Sequence, residues 1–184
     1  IHCLFTELGY IPRSAFFLSS DKKKKKSEIV KTQPFRVKFY TMKVIIQRVA
    51  KASITVGDEQ ISSIGRGLCV LLGISLEDTQ KDVEYMVRKI LNLRLFEDEN
   101  GKHWCKSVMD KQYEVLCVSQ FTLLCTLKGN KPDYHMAMPA EQSEPFYKDF
   151  LEQLRKTYKP ELIKALDDVR GPSVKIKTLH NAPV

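Results

Sequence analysis

The sequence predicts a single mixed α/β domain behind a lysine-rich leader, and three observations lead there. Strand-like runs rich in β-branched residues lie on both sides of a segment whose apolar residues switch to helical spacing. A second helical pattern appears late in the chain, without any internal repeat. The composition changes at Met42, which divides a leader (1–41) from a domain (42–184). A length of 184 residues suits one well-buried domain and leaves little for a second.

The elements follow in order. KVIIQRVAKASITV (43–56) reads as strand, and GDEQ (57–60) has turn chemistry. LCVLLGIS (68–75) is a second, apolar strand. Val83, Met86, Val87, Ile90 and Leu91 then recur at helical spacing, and Thr79 with Asp82 forms a capping-box pattern at the start of that helix. LRLFEDENGKHW (93–104) reads as a strand running into an Asn-Gly turn at Asn100 and Gly101. EVLCVSQFTLL (114–124) is the next expected strand. After a polar loop, Phe146, Phe150, Leu151 and Leu154 mark a second amphipathic helix that Pro160 closes. SVKIKTLH (173–180) is the last strand.

Charge and cysteine usage narrow the function. The net charge of +8 is concentrated in the leader, where nine Lys/Arg face three Asp/Glu. Residues 42–184 hold 21 against 19, a balance unlike that of a general nucleic-acid clamp. The block DKKKKK (21–26) can mark a nuclear signal or a phosphate-binding arm, but the leader's composition favours a solvated, disordered segment. IPRSAFFLSS (11–20) suggests a targeting peptide without fixing a cleavage site. No apolar run approaches the roughly 18 residues that a membrane span needs. Cys3, Cys69, Cys105, Cys117 and Cys125 are odd in number and lack CxxC spacing, which points to buried free thiols and a reducing compartment.

The usual catalytic signatures are absent. His103, beside Trp104, and His135, after Pro132, have no carboxylate at metal-ligand spacing, so surface or structural roles are expected and no metal site. The sequence contains no GxSxG elbow, Walker loop or Rossmann glycine fingerprint. VSQFTLL (118–124) is the exception, with polar residues set into an apolar strand. Strand alternation would place Ser119, Phe121 and Leu123 on one face and Gln120, Thr122 and Leu124 on the other. By itself that describes an edge strand. The following loop, LLCTLKGNKPDYHMAMPAEQ, can line a pocket mouth, with Lys128 and Lys131 placed to meet phosphates.

QRVAKASITV, GRGLCVLLGIS, RKILNLRLFEDENGK, SQFTLL and KGNKPDYHMAMP together make residues 42 to about 164 closely resemble the D-aminoacyl-tRNA deacylases, the chiral-proofreading enzymes of translation. The resemblance implies barrel-like β-sheets, and a cytoplasmic homodimer that hydrolyses D-aminoacyl-tRNA without a cofactor. It places Ser119, Gln120, Phe121 and Thr122 in the catalytic wall; with a tRNA substrate, the loop lysines Lys128 and Lys131 become the expected tRNA contacts. Two mechanisms stay open: Thr122 as nucleophile, or a water assisted by the substrate's own 2′-hydroxyl and by backbone amides. The second suits a threonine with no base beside it in sequence.

The family's other motif, Gly-cisPro-Val-Thr, enters the partner's active site and excludes L-amino acids. Ala182-Pro183-Val184 stands at that place here, with alanine for glycine and no threonine. Upstream, ALDDVRGPSVKIK replaces a glycine-rich stretch. A rival class remains: a non-catalytic nucleic-acid-binding protein on the same fold, using the basic leader. Association of some family members with DNA replication keeps DNA as a partner and the nucleus as a second compartment.

Overall fold

The computed structural model describes the backbone of residues 15–19 and, with their side chains, residues 41–166 and 174–180. The lysine block at 21–26 and Ala182-Pro183 lie outside the described residues.

The order of elements is β1 (Ala15–Ser19), β2 (Lys43–Val49), β3 (Lys51–Val56), β4 (Glu59–Ile64), β5 (Gly67–Gly73), α1 (Gln80–Asn92), α2 (Val108–Lys111) and β6 (Glu114–Ser119). A 3-10 turn (Phe121–Leu124) follows, then the short strands β7 (Thr126–Lys128) and β8 (Lys131–Asp133), and α3 (Ala140–Thr157). A second 3-10 turn (Pro160–Leu162), β9 (Ile163–Ala165) and β10 (Val174–Leu179) complete the described chain.

The strands form three sheets, ordered β1-β2-β5-β6-β9, β10-β3-β4 and β7-β8. The mixed α/β class predicted from sequence is the class observed, but the sheets stay separate and no closed barrel forms among the described residues. The layering follows from period-2 alternation along buried strands. Leu68, Val70 and Leu72 of β5, with Val115 and Cys117 of β6, face a core shared with Val83, Met86 and Ile90 of α1 and Phe150, Leu151 and Leu154 of α3. The alternate residues Cys69, Leu71, Leu116 and Val118 face a second core with Ala52 and Ile54 of β3, Ile64 and Val174. Helices, five-stranded sheet and three-stranded sheet are thus stacked, with β5 buried along its whole length. Burial raises the Cys69 thiol to about 12 and pushes Cys117 up further, so both stay protonated thiols.

Local chemistry sets the boundaries. Asp82 accepts from the Thr79 amide at 2.9 Å and the Thr79 hydroxyl at 2.7 Å, the expected cap of α1. The run at 43–56 is two strands rather than one. It breaks at Ala50, whose amide bonds the Leu179 carbonyl at 2.8 Å, as the chain crosses from one sheet to the next. The strand expected at 93–104 does not form beyond a single bridge between Phe96 and Lys106. Asp98 instead accepts from the Asn100 and Lys102 amides, both at 2.9 Å, and curls the segment into a loop through Gly101 at φ +80°. Within the lysine-rich leader, β1 pairs antiparallel with β2, Ala15 opposite Gln47.

Asp78 is buried and accepts two backbone amides, Met42 through Oδ1 and Ser75 through Oδ2, each at 2.7 Å. It ties the start of β2 to the exit of β5. An Asp78→Ala variant leaves both amides short of an acceptor and should lose about 2–6 kcal/mol, from roughly 1–3 kcal/mol for each buried unsatisfied group. Urea denaturation of the two proteins measures this, and a change under 1 kcal/mol would mean that water replaces the carboxylate.

Candidate active site

The site begins with a register. β5 and β6 run parallel with Leu72 opposite Ser119, so both strands end at the same edge of the sheet. One more ladder bond forms, from the Gln120 amide to the Leu72 carbonyl at 2.7 Å. The chain then leaves the strand at Gln120 (φ −142°, ψ 86°) and coils into the 3-10 turn Phe121–Leu124. The single strand expected over 114–124 therefore ends at Ser119, and the two-face alternation predicted for SQFTLL does not occur. Leu124 is buried, while Phe121 is 47% exposed.

Steric room explains where the turn sits. A Cβ on Gly73 would fall 2.8 Å from Leu123 Cβ and 3.2 Å from the Gln120 carbonyl oxygen. Only glycine at the end of β5 lets the turn lie this close. Leu123 donates to the Gln120 carbonyl at 3.2 Å and Cys125 to the Thr122 carbonyl at 3.2 Å. The amides of Phe121 and Thr122 precede the first of these bonds, so they have no acceptor within the turn. Two adjacent N–H donors are left at its start.

The side chains add no acid or base. Thr122 Oγ1 accepts a hydrogen bond from the Gln120 side-chain amide, and no histidine or carboxylate among the described residues bonds to it. The Phe121 ring meets Tyr134 edge to face, with centroids 5.5 Å apart. The segment after Tyr134 is fastened to the end of β5: Leu76 donates to the Met136 carbonyl at 3.0 Å and Met138 to the Ile74 carbonyl at 2.9 Å. The turn and this segment form two sides of one surface.

Charge gathers next to that surface. The β7–β8 hairpin turns through Gly129 at φ +61° and sets Lys128 opposite Lys131. Lys128 pairs with Asp133, and His135 Nδ1 lies 2.9 Å from the same carboxylate. Hydrogen bonding to Lys128 and then to His135 lowers the Asp133 pKa to about 2. His135 therefore orders a loop and is remote in role from Thr122.

The structure thus brings Ser119, Gln120, Phe121 and Thr122 together, with Lys128 and Lys131 on the adjoining hairpin. The last described residue, His180, sits 3.0 Å from the Arg48 carbonyl through Nδ1. Arg48 pairs with Leu68, at the opposite end of β5 from Gly73. Sequence reading missed Gly73, Asp133 and Tyr134. A glycine inside an apolar strand was the available signal for the first; Asp133 and Tyr134 carried none.

The sequence that builds this turn, SQFT included, lies within residues 45–183, which match a family model described as D-Tyr-tRNA(Tyr) deacylase. The chain belongs to this family. The D-aminoacyl-tRNA deacylase 1 of Homo sapiens is 71% identical over 143 residues, 78% of this chain and 68% of that protein. The Drosophila melanogaster D-aminoacyl-tRNA deacylase is 53% identical over 143 residues, covering 78% and 89%. A solved structure titled c-Myc DNA Unwinding Element Binding Protein superposes with a TM-score of 0.72 at 69% identity, covering 77% of this chain and 93% of that one. A probable eukaryotic D-amino acid tRNA deacylase shares the fold at a TM-score of 0.64 and 14% identity, covering 77% and 95%. The family match runs past residue 164, where the resemblance read from sequence lapsed, and takes in the segment around Ala182.

Gly73→Ala tests the steric basis of this deacylase site. Overpacking of about 1–3 kcal/mol should lower Tm while the fold persists. Displacement of the turn should cut kcat for ester hydrolysis more than tenfold, with KM little changed. Wild-type kcat in the alanine variant would show that the close approach is incidental.

Proposed function

We infer that the chain hydrolyses the ester joining a D-amino acid to the 3′-terminal adenosine of tRNA, releasing free D-amino acid and tRNA. The observation that carries this reading is the pair of amides at Phe121 and Thr122, held at the sheet edge in a chain of this family. Water adds to the ester carbonyl carbon, and the carbonyl π electrons move onto its oxygen. The two amides donate to that oxyanion, which needs no titrating side chain. Collapse re-forms the carbonyl and breaks the bond to the ribose oxygen. The proton lost by water reaches that oxygen by way of the neighbouring 2′-hydroxyl. Thr122 is poorly suited to be the nucleophile, because its hydroxyl oxygen already accepts from Gln120 and has no base to take its proton.

Selection of the D form is assigned to Ala182 and Pro183 of a second copy in a homodimer. The sequence supports this: Ala182-Pro183 stands where the family motif has the glycine-proline pair that enters the partner's site. The tRNA is bound along the hairpin side, and the cytoplasm is the proposed compartment. A DNA-binding role is not favoured, because the family model and the curated relatives at 71% and 53% identity are D-aminoacyl-tRNA deacylases.

Three measurements follow. Deacylation of D-Tyr-tRNA and L-Tyr-tRNA, with and without residues 1–41, should show D-selective hydrolysis that survives truncation. Salt-sensitive binding without hydrolysis, lost on truncation, would support the DNA- or RNA-binding rival. In the same assay Thr122→Ala should keep kcat within about tenfold, whereas loss of a true nucleophile costs many orders of magnitude. The family motif has glycine where this chain has Ala182, so Ala182→Gly should raise the D/L ratio. An unchanged ratio would remove Ala182 from the selecting surface.

A further inference from the structure

We propose that the β7–β8 hairpin is a phosphodiester-contact arm in which Lys131 takes the anion while Asp133 holds Lys128 back. The inference rests on the hydrolase reading above and assigns the two lysines different work.

Position comes first. The hairpin starts two residues after the 3-10 turn, and Tyr134, next to Asp133, packs its ring against Phe121. Any single-stranded acceptor end whose terminal ester lies on the turn brings its last phosphates to this neighbourhood. Charge comes second. Lys128 and Lys131 are directly opposite across the strands, an arrangement that repels unless something neutralises it. Asp133 is that group. It accepts from Lys128, from the His135 amide at 3.1 Å and from the His135 ring at 2.9 Å, and its side chain is only 18% exposed. Lys131 is exposed and has no ion pair among the described residues. The hairpin therefore presents one uncommitted cation, on the strand that leads back to the turn. Thr126 Oγ1 to the Asp133 carbonyl, at 3.3 Å, ties the two strands at their base.

A flexible pair of lysines would bind phosphate without register. One lysine anchored by a carboxylate that is itself fixed by a loop amide gives the other a defined place. Asp133 is thus a positioning residue, and the substrate class it serves is a phosphodiester chain rather than an isolated aminoacyl ester.

The test compares D-Tyr-tRNA with the D-tyrosyl ester of adenosine, which carries no phosphate. Lys131→Ala should raise KM for the tRNA roughly threefold or more and reduce the slope of log KM against log salt by about 0.7, the value for one lost single-strand contact. Its effect should be absent from the adenosine ester. Lys128→Ala should leave the salt slope in place, and Asp133→Asn, which frees Lys128, should steepen it by about 0.7. An unchanged slope in Lys131→Ala, an equal loss in Lys128→Ala, or a parallel rise in KM for the adenosine ester would overturn the proposal. Wild-type protein that hydrolyses neither ester would instead refute the hydrolase reading. The same slopes, read from equilibrium binding of uncharged tRNA, would still test the arm.

Discussion

The hydrogen bond from the Gln120 amide to the Leu72 carbonyl, formed beside Gly73, is the contact on which the site rests. It is the last bond of the parallel β5–β6 ladder, so its position is fixed by a register buried on both faces. A slip of one residue would send Leu68, Val70 and Leu72 into the wrong core, which makes the register hard to change. Beyond that bond the chain cannot continue as strand, because Leu123 and Leu124 turn back onto Gly73. The 3-10 turn is the outcome, and its first two amides are left as donors. Packing energy spent in the two cores thereby fixes donors at the surface, where preorganisation is what an oxyanion site requires.

Titratable groups are kept out of the wall and collected on the hairpin. Buried thiols at Cys69 and Cys117 stay protonated within the cores and contribute only packing. Asp133, Lys128, His135 and Lys131 lie beside the turn, bonded mostly to one another. Such a division suits an activated ester, whose hydrolysis asks for modest catalysis and good placement. It also separates two functions that could be altered independently: oxyanion stabilisation by backbone, and phosphate contact by a side chain.

Much of the fold was legible in the sequence because its signals are strong and local. The helical spacing of Val83, Met86, Val87, Ile90 and Leu91 and the Thr79–Asp82 cap gave α1, and the continuous apolar run of β5 marked a strand buried on both faces. Failures came where tertiary contact overrides pattern. Residues 93–104 have strand-like composition, but Asp98 satisfies the loop amides internally and removes the need for a ladder. SQFTLL continues an apolar strand in sequence, and only the approach of Gly73 from another strand turns it. The four-residue α2 is too short to show a period, although Ser107 and Asp110 carry its cap. At the site, the SQFT residues were recognisable by family resemblance. The sequence could not show that Lys128 is engaged by Asp133 and Lys131 is not, since both pairings depend on hairpin register.

The most direct measurement replaces single backbone amides by esters through semisynthesis, at Phe121 and at Thr122, leaving every side chain in place. Each replacement deletes one N–H donor. Single-turnover deacylation of D-Tyr-tRNA should then fall by about 10²–10³-fold for a donor that meets the oxyanion, with circular dichroism unchanged. Rates within a fewfold of wild type for both backbone variants would contradict the account and return the chemistry to a side chain.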